Sequence, residues 1–513
     1  MAARLSTKPD ASFFRKIVVG AIGARAVIAN LSHHGHHFIE LERGSTDTKL
    51  WKDVKRKRVR IPDLVCTNCG QRIECRAKTK NDLAMSHSPS DEERSWNFGM
   101  VGTDWIAFPI CTAIDEVDSA LGRLKNSGSY WNEVNRINWK TNPYINYFTV
   151  AEFEKHQHNR ASTKSGAEGA ETFIQWKATF CTKEQGTVTQ VSHTEGKVTV
   201  RPSDGRPHTW TVKPPLKIVV HEDEVVHFGQ VLAVAPQPIP HRDLRCVGVV
   251  SCQEISEMLS SRQRTRRFTG VKLARIRQES DHKSQIESLA RDVDEDVYVR
   301  LEGLSYLVGV CGHSAAKLFN EYLNGNDEQN QLESVIAMGE AGTEDAVSLL
   351  ASIVRETDRP YFLRSAAAWS LGQTQLESAN EHLVAAFADV DLDLRRESLE
   401  TLVGLGGRAV QRLLVGLRES NSDVIAGCAE ALRQQDRLPD NAIDFLSTAI
   451  RGDTPNNWIV WLVGQLGEHK LRAEVEELRD KAPQIYYAIN LMWSFTESWI
   501  AQRWIMHPNP RMK

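Results

Sequence analysis

The sequence predicts a multidomain chain with an α/β domain first, a small all-β module next and an α-solenoid last. Three observations predict it. A short apolar hairpin carrying acids and bases lies near residue 70. Glycine-punctuated, β-branched runs fill residues 186–233, and helix-pair segments recur about every 30–34 residues from Val299 onward. The divisions read as 1–150 for the α/β domain, 151–171 for a polar linker and 172–250 for the β module. A basic linker or helix at 251–283 and the solenoid at 284–513 follow.

The hairpin comes first because it carries the chemistry. Ile61-Pro62-Asp63-Leu64-Val65-Cys66 and Arg72-Ile73-Glu74-Cys75-Arg76-Ala77-Lys78 read as two strands, with Thr67–Gln71 turning the chain between them. Side chains alternate along a strand, so Glu74, Arg76 and Lys78 share one face and Cys75 and Ala77 the other. Two carboxylates can hold a hard divalent cation, which neutralises phosphoryl charge and lowers the pKa of a bound water. A neighbouring ammonium can orient that water or stabilise the charge that develops.

These residues resemble the PD-(D/E)XK nucleases over roughly the first 115 residues. Pro62-Asp63 matches the first half of the motif and Glu74 the second acid. The resemblance implies a restriction-endonuclease-like α/β fold, with Mg²⁺ or Mn²⁺ held by Asp63 and Glu74. The sequence departs from the pattern twice. Arg76 stands where the lysine belongs, and arginine does not give up its proton near neutrality, so Lys78 would have to take that role. The helix before the hairpin should carry a glutamate in a Gly-x-x-Gly-Glu context, but Gly20-Ala21-Ile22-Gly23 is followed by Ala24 and Arg25.

Charge supports a polyanion-binding front. Residues 1–280 sum to +11 and the remainder to −14. The run Lys55, Arg56, Lys57, Arg58 and Arg60 feeds into the Pro-Asp strand, where its expected role is phosphate contact. Residues 261–277 hold seven cations and no acid, among them Arg262, Arg264, Arg266 and Arg267. Nucleic acid, with DNA as the expected form, is the favoured counter-charge. The acidic C-terminal half is the alternative.

Nine cysteines, mostly scattered singly, fit a reducing compartment, and the chain is expected to be cytoplasmic. No run of 18 uninterrupted apolar residues exists, so no membrane partner is expected; Ile485–Met506, the nearest approach, reads as a final packing helix. Cys66 and Cys69 form one Cys-x-x-Cys-Gly knuckle at the hairpin tip. It either binds a structural Zn²⁺ or is a pair of reduced cysteines capping a turn. Cys75 faces across the sheet, and His87 or Cys111 would complete a site only by folding back. His33-His34-Gly35-His36-His37 reads as a solvated turn between a helix at 13–32 and a strand at 38–42.

In the middle module, the acidic turn His221-Glu222-Asp223-Glu224 runs into Val225-Val226-His227-Phe228-Gly229-Gln230-Val231-Leu232. It resembles the barrel-sandwich hybrid of large RNA polymerase subunits and biotinyl-lipoyl carriers. No modifiable lysine sits on a suitable hairpin, so the implied role is spacing or docking. Behind it, Leu363–Gly372 resembles the first helix of a HEAT repeat. Related segments begin near Val299, Asn330, Leu394, Val424, Trp458 and Ile485. HEAT-like arrays imply a protein partner without naming it.

The leading expectation is therefore metal-dependent phosphodiester hydrolysis of nucleic acid, with Asp63 and Glu74 on the metal, Lys78 as activator and Arg76 gripping phosphate. A role in bacterial genome defence goes with that combination of folds. The alternatives are a non-catalytic nucleic-acid-binding scaffold with a decayed nuclease site, and a protein-interaction adaptor.

Overall fold

The computed structural model describes residues 11–41, 61–89, 92–113, 139–162, 172–203, 205–435, 437–452, 455–466 and 471–493. It divides into two compact units, Met1–Arg300 and Leu301–Lys513. The basic run Lys55–Arg60 lies outside the described residues.

The first unit opens with α1 (Ala11–Ser32), whose apolar stripe covers a five-stranded sheet. Its strands are β1 (Phe38–Glu40), β2 (Leu64–Cys66), β3 (Arg72–Cys75), β5 (Trp105–Phe108) and β8 (Asn146–Thr149), in that spatial order. β1, β2 and β3 form an antiparallel meander, β3 pairs with β5 in parallel, and β8 returns antiparallel. Val27 and Leu31 of the helix are fully buried against Leu64, Ile73, Ala107 and Tyr147. Each such aliphatic side chain contributes about 1.5–3 kcal/mol when fully buried. At Gly23 the helix comes so close to the strand extension that a Cβ would lie 2.5 Å from that of Ala77.

The other face of this sheet packs on a second layer. β4 (Leu83–His87) pairs with β10 (Thr172–Trp176), which also pairs with β9 (Asn159–Ser162). Trp96, Phe148, Phe153, Ile174 and Trp176 fill the space between. Residues 151–162, whose composition reads as linker, are part of this layer. They form most of α2 (Val150–Lys155), whose Thr149 side chain accepts the amide of Glu152, and the edge strand β9. A short ribbon of β6 (Cys111–Ala113) and β7 (Trp139–Thr141) packs against α1, and the Cys111 amide donates to the Lys78 carbonyl at 2.7 Å.

The β module holds two small antiparallel sheets around one valine-rich core. The first contains β11 (Ala178–Phe180), β17 (Val231–Val234) and β15 (Lys217–Ile218). The second contains β14 (His208–Thr211), β13 (Lys197–Pro202), β12 (Gln185–Ser192) and β16 (Val225–His227). Period-2 burial along β13 shows why the sequence folds this way: Val198 and Val200 are buried while Lys197 and Arg201 are exposed. After it come α3 (Cys252–Leu259), started by a Ser251/Glu254 capping box, and α4 (Arg264–Ile276). The basic stretch is thus largely a packed helix, with Phe268, Val271 and Leu273 buried; α5 (Lys283–Arg291) follows.

From α6 (Val297–Gly309) onward, helices alternate as first and second members of pairs. The later first helices are α8 (Glu328–Ala341), α10 (Tyr361–Gln373), α12 (Leu392–Leu405), α14 (Ser422–Arg433) and α16 (Asn457–Leu466). The second helices are α7 (Ala315–Leu323), α9 (Glu344–Arg355), α11 (Ser378–Ala385), α13 (Gly407–Gly416), α15 (Asp440–Ile450) and α17 (Arg472–Lys481). Asp327, Thr343, Asp391 and Asn421 each cap a helix with a side-chain oxygen. Glycine lets successive first helices approach. A Cβ on Gly309 would lie 2.7 Å from the Ala341 carbonyl, and one on Gly339 2.8 Å from that of Ser370. Residues 483–493 are helical, and Trp493 Nε1 donates to the Val463 carbonyl at 3.0 Å. Among the described residues no helix is long and apolar enough to cross a membrane.

Candidate functional site

The β2–β3 hairpin fixes the acids by register. Leu64 pairs with Ile73, and both point into the core under α1. The positions one step along, Asp63 and Glu74, therefore fall on the opposite face of neighbouring strands. The β3 ladder runs on past its named end: the Arg76 amide donates to the Ala107 carbonyl at 2.8 Å, and the Lys78 amide to that of Pro109 at 2.9 Å. Arg76 and Lys78 thus stay in phase with Glu74.

The polar ends go to separate partners. The Asp63 carboxylate accepts the Cys75 amide at 2.7 Å. Glu74, 9% exposed, is paired with the Arg76 guanidinium at 2.8 Å. The Lys78 ammonium donates to the Ala84 carbonyl and lies 6.0 Å from the centre of the Phe108 ring. Burial pulls Lys78 down to about 8, with Arg76 adding to the shift and Asp82 opposing it. Arg76 Nε is buried with no hydrogen-bond partner among the described residues. Where the nuclease pattern has its helix acid, Ala24 is buried and Arg25 is exposed.

The cations of α4 and its approach are partly spent on internal acids. Arg264 contacts Glu93 and Asp296, each at 3.1 Å. Arg267 forks onto Glu295 at 2.5 and 2.7 Å. Arg262 is exposed and Arg266 half-buried. Another fork, Arg72 onto Asp104, is buried beneath the hairpin.

At the hairpin tip the structure assembles a group that crosses the chain. The ligating atoms of His36, Cys66, Cys69 and Cys246 all lie within 4.8 Å of one another, and among the described residues no other group of three or more metal-ligating side chains is this close. Gly70, at φ +73°, turns the chain just after Cys69. The Cys246 amide donates to the His34 carbonyl at 3.0 Å, and the Val250 amide to that of Asn68 at 2.6 Å, which ties the third segment down. The Cys66–Cys69 contact pulls the Cys66 thiol well below its ordinary range and holds the Cys69 thiol above it.

Cys66 and Cys69 lie at the hairpin tip, and His33–His37, which the sequence reads as a solvated turn, contributes a buried member. His36 is in fact 4% exposed. His87 and Cys111 do not join: His87 ends β4, and the Cys111 thiol faces the Val19 carbonyl. Cys246 carries no local signal beyond the nearby Gly248, which has φ +121°. Beside the cluster, His33, His34, His241, Arg242 and Arg245 line a surface cleft of about 470 Å³.

A family model for HEAT repeats matches residues 315–403. Residues 315–403 are thus similar to HEAT repeats, and they lie within the series of helix pairs. The match spans α7 to α12, the stretch that includes the glycine-mediated approach of first helices at Gly339. No curated protein matches the chain by sequence. Among solved structures, the YibA protein of E. coli is 14% identical, with 48% of this chain and 93% of that one covered and a TM-score of 0.25. Human deoxyhypusine hydroxylase is 14% identical, covering 42% and 97% at 0.18. The CpcE–CpcF complex of phycocyanin lyase from Nostoc is 16% identical, covering 48% and 94% at 0.19. TM-scores this low carry no further structural argument. Neither the nuclease-like nor the barrel-sandwich resemblance gains support from these matches.

Proposed function

We propose that the chain is a protein-interaction scaffold, its HEAT repeats binding a protein partner and its first unit carrying a nuclease-like but closed acid site. The HEAT match over residues 315–403, with first helices stacked in series, carries this reading. The engagement of Glu74 by Arg76 supports the closed site. The test has two arms on the full chain. A partner co-purified from the source cells and then rebuilt from pure components should bind, and Glu377→Arg with Glu381→Arg, both exposed at α11, should weaken it. Asp63→Ala should leave it unchanged. No reconstituted complex with any co-purifying protein would end the scaffold reading.

A second reading is metal-dependent nuclease action on nucleic acid, DNA first. It is favoured by the shared face of Asp63 and Glu74 and by the lowered Lys78 ammonium, close to what proton transfer near neutrality needs. Here Asp63 and Glu74 would hold Mg²⁺ or Mn²⁺, Lys78 would act on the water, and Arg76 would grip phosphate. Arg242 and Arg245 in the cleft would add phosphate contacts, as would Arg262 and Arg266. Incubation with either metal and single- or double-stranded DNA or RNA decides it. Cleavage lost in Asp63→Ala establishes the nuclease, and intact substrate throughout leaves the scaffold.

A further inference from the structure

We propose that His36, Cys66, Cys69 and Cys246 bind one structural zinc ion that clamps three distant segments of the first unit. Geometry is the first support. Zinc holds thiolates at about 2.3 Å and imidazole at about 2.0–2.1 Å in a tetrahedron, so neighbouring ligand atoms stand about 3.6–3.8 Å apart. His36 Nδ1 and Cys69 Sγ are 3.6 Å apart, and all four ligand atoms fall within 4.8 Å. Three sulfurs and a nitrogen are the soft donor set that selects zinc over oxygen-seeking cations.

The second support is the arrangement around the ligands. His36 Nε2 lies 2.9 Å from the Leu244 carbonyl, which can only accept. The proton therefore sits on Nε2, and the Nδ1 lone pair is left facing the sulfurs. Backbone amides of Cys69 and His37 point at the Cys66 sulfur, and that of Gln71 at the Cys69 sulfur. Such donors offset the excess negative charge of three thiolates. None of the three cysteines is in a disulfide.

The third support is closure. Four protein ligands complete the tetrahedron and leave no open position, so the ion is structural and independent of Asp63 and Glu74. The ligands come from the turn after α1, the hairpin tip and the segment leading to α3. Binding couples directly to folding, because the unfolded chain keeps these segments apart.

The test uses the full-length chain. Elemental analysis should find about one zinc per chain, and cobalt exchanged into the site should give thiolate-to-cobalt charge-transfer absorption. Cys246→Ser and His36→Ala should each lose most of the metal, whereas His36→Cys should keep it and Cys181→Ser, outside the cluster, should not matter. The His36→Cys rescue separates lost ligation from lost folding. A folded wild-type chain with no zinc and no cobalt spectrum would overturn the proposal. So would full zinc retention in Cys246→Ser, or a Cys66–Cys69 disulfide found by mass spectrometry in protein prepared without reductant.

Discussion

Glu74 and Arg76 sit two positions apart on one strand, and the guanidinium of one closes 2.8 Å onto the carboxylate of the other. Both side chains are largely buried, at 12% and 17% exposure, so each depends on the other for its counter-charge. Arg76→Ala strands a carboxylate and should cost about 2–4 kcal/mol of unfolding free energy in urea titration. The double variant Glu74→Gln/Arg76→Met should recover much of that loss. A double-mutant cycle with no coupling would show the pair to be incidental.

Arg72 and Asp104 make the more deeply buried pair, with the Asp104 carboxylate also accepting the Val101 amide at 2.7 Å. Asp104→Ala removes the acceptor for both and should destabilise the first unit by about 3–5 kcal/mol. Hydrogen exchange should report the opening first along β3 and β5.

Lys78 gives a pH signature. Its ammonium titrates near 8 in the folded chain against 10.5 when unconstrained, so between those values the unfolded chain binds more protons. Stability should rise as pH climbs from about 8 to 10.5, gaining about 3 kcal/mol from this group alone. Below 8 the full cost of burying the charge is present. Lys78→Met should flatten the slope in that window, and an unchanged slope would place the titration elsewhere.

Glycines in the repeats separate packing from flexibility. Gly339→Ala places a methyl 2.8 Å from a backbone oxygen on the next first helix and should cost about 1–3 kcal/mol. Gly404, also in a first helix, has nothing within 4 Å of its would-be Cβ. Gly404→Ala should stabilise by about 0.4–1 kcal/mol through the unfolded state. Thermal melts of the two variants should move in opposite directions.

The arginines of α4 and of the segment leading into it divide in the same way. If the chain binds duplex nucleic acid, Arg262→Ala and Arg266→Ala should each lower the salt slope of log K by about 0.9. Arg267→Ala should leave the slope alone and lower stability instead, because its guanidinium is held by Glu295.

What could be read from sequence follows the range of the forces involved. The hairpin and α1 rest on local periodicity, which is written within a dozen residues, and the first helices of the pairs on a repeat of about 30–34 residues. The strand β9 was hidden because its partner β10 supplies the order that its own polar residues do not. Arg264 and Arg267 read as phosphate ligands because Glu295 and Asp296, adjacent in sequence to each other, lie well downstream of them. The same limit explains His36: nothing near residue 36 announces Cys246.

That separation has a consequence for synthesis. The imidazole of His36 meets a carbonyl 208 residues later, and the same later segment anchors the hairpin tip through Val250 and Asn68. At about 5–20 residues per second the ribosome takes about 10–40 s to make that stretch. Once residues 66–70 have emerged, the hairpin has its turn but not its clasp for the rest of that interval, and its thiols are open to oxidation or to capture by a chaperone. Translation rate, more than any equilibrium property of the finished chain, therefore sets how long this corner of the nascent protein stands exposed.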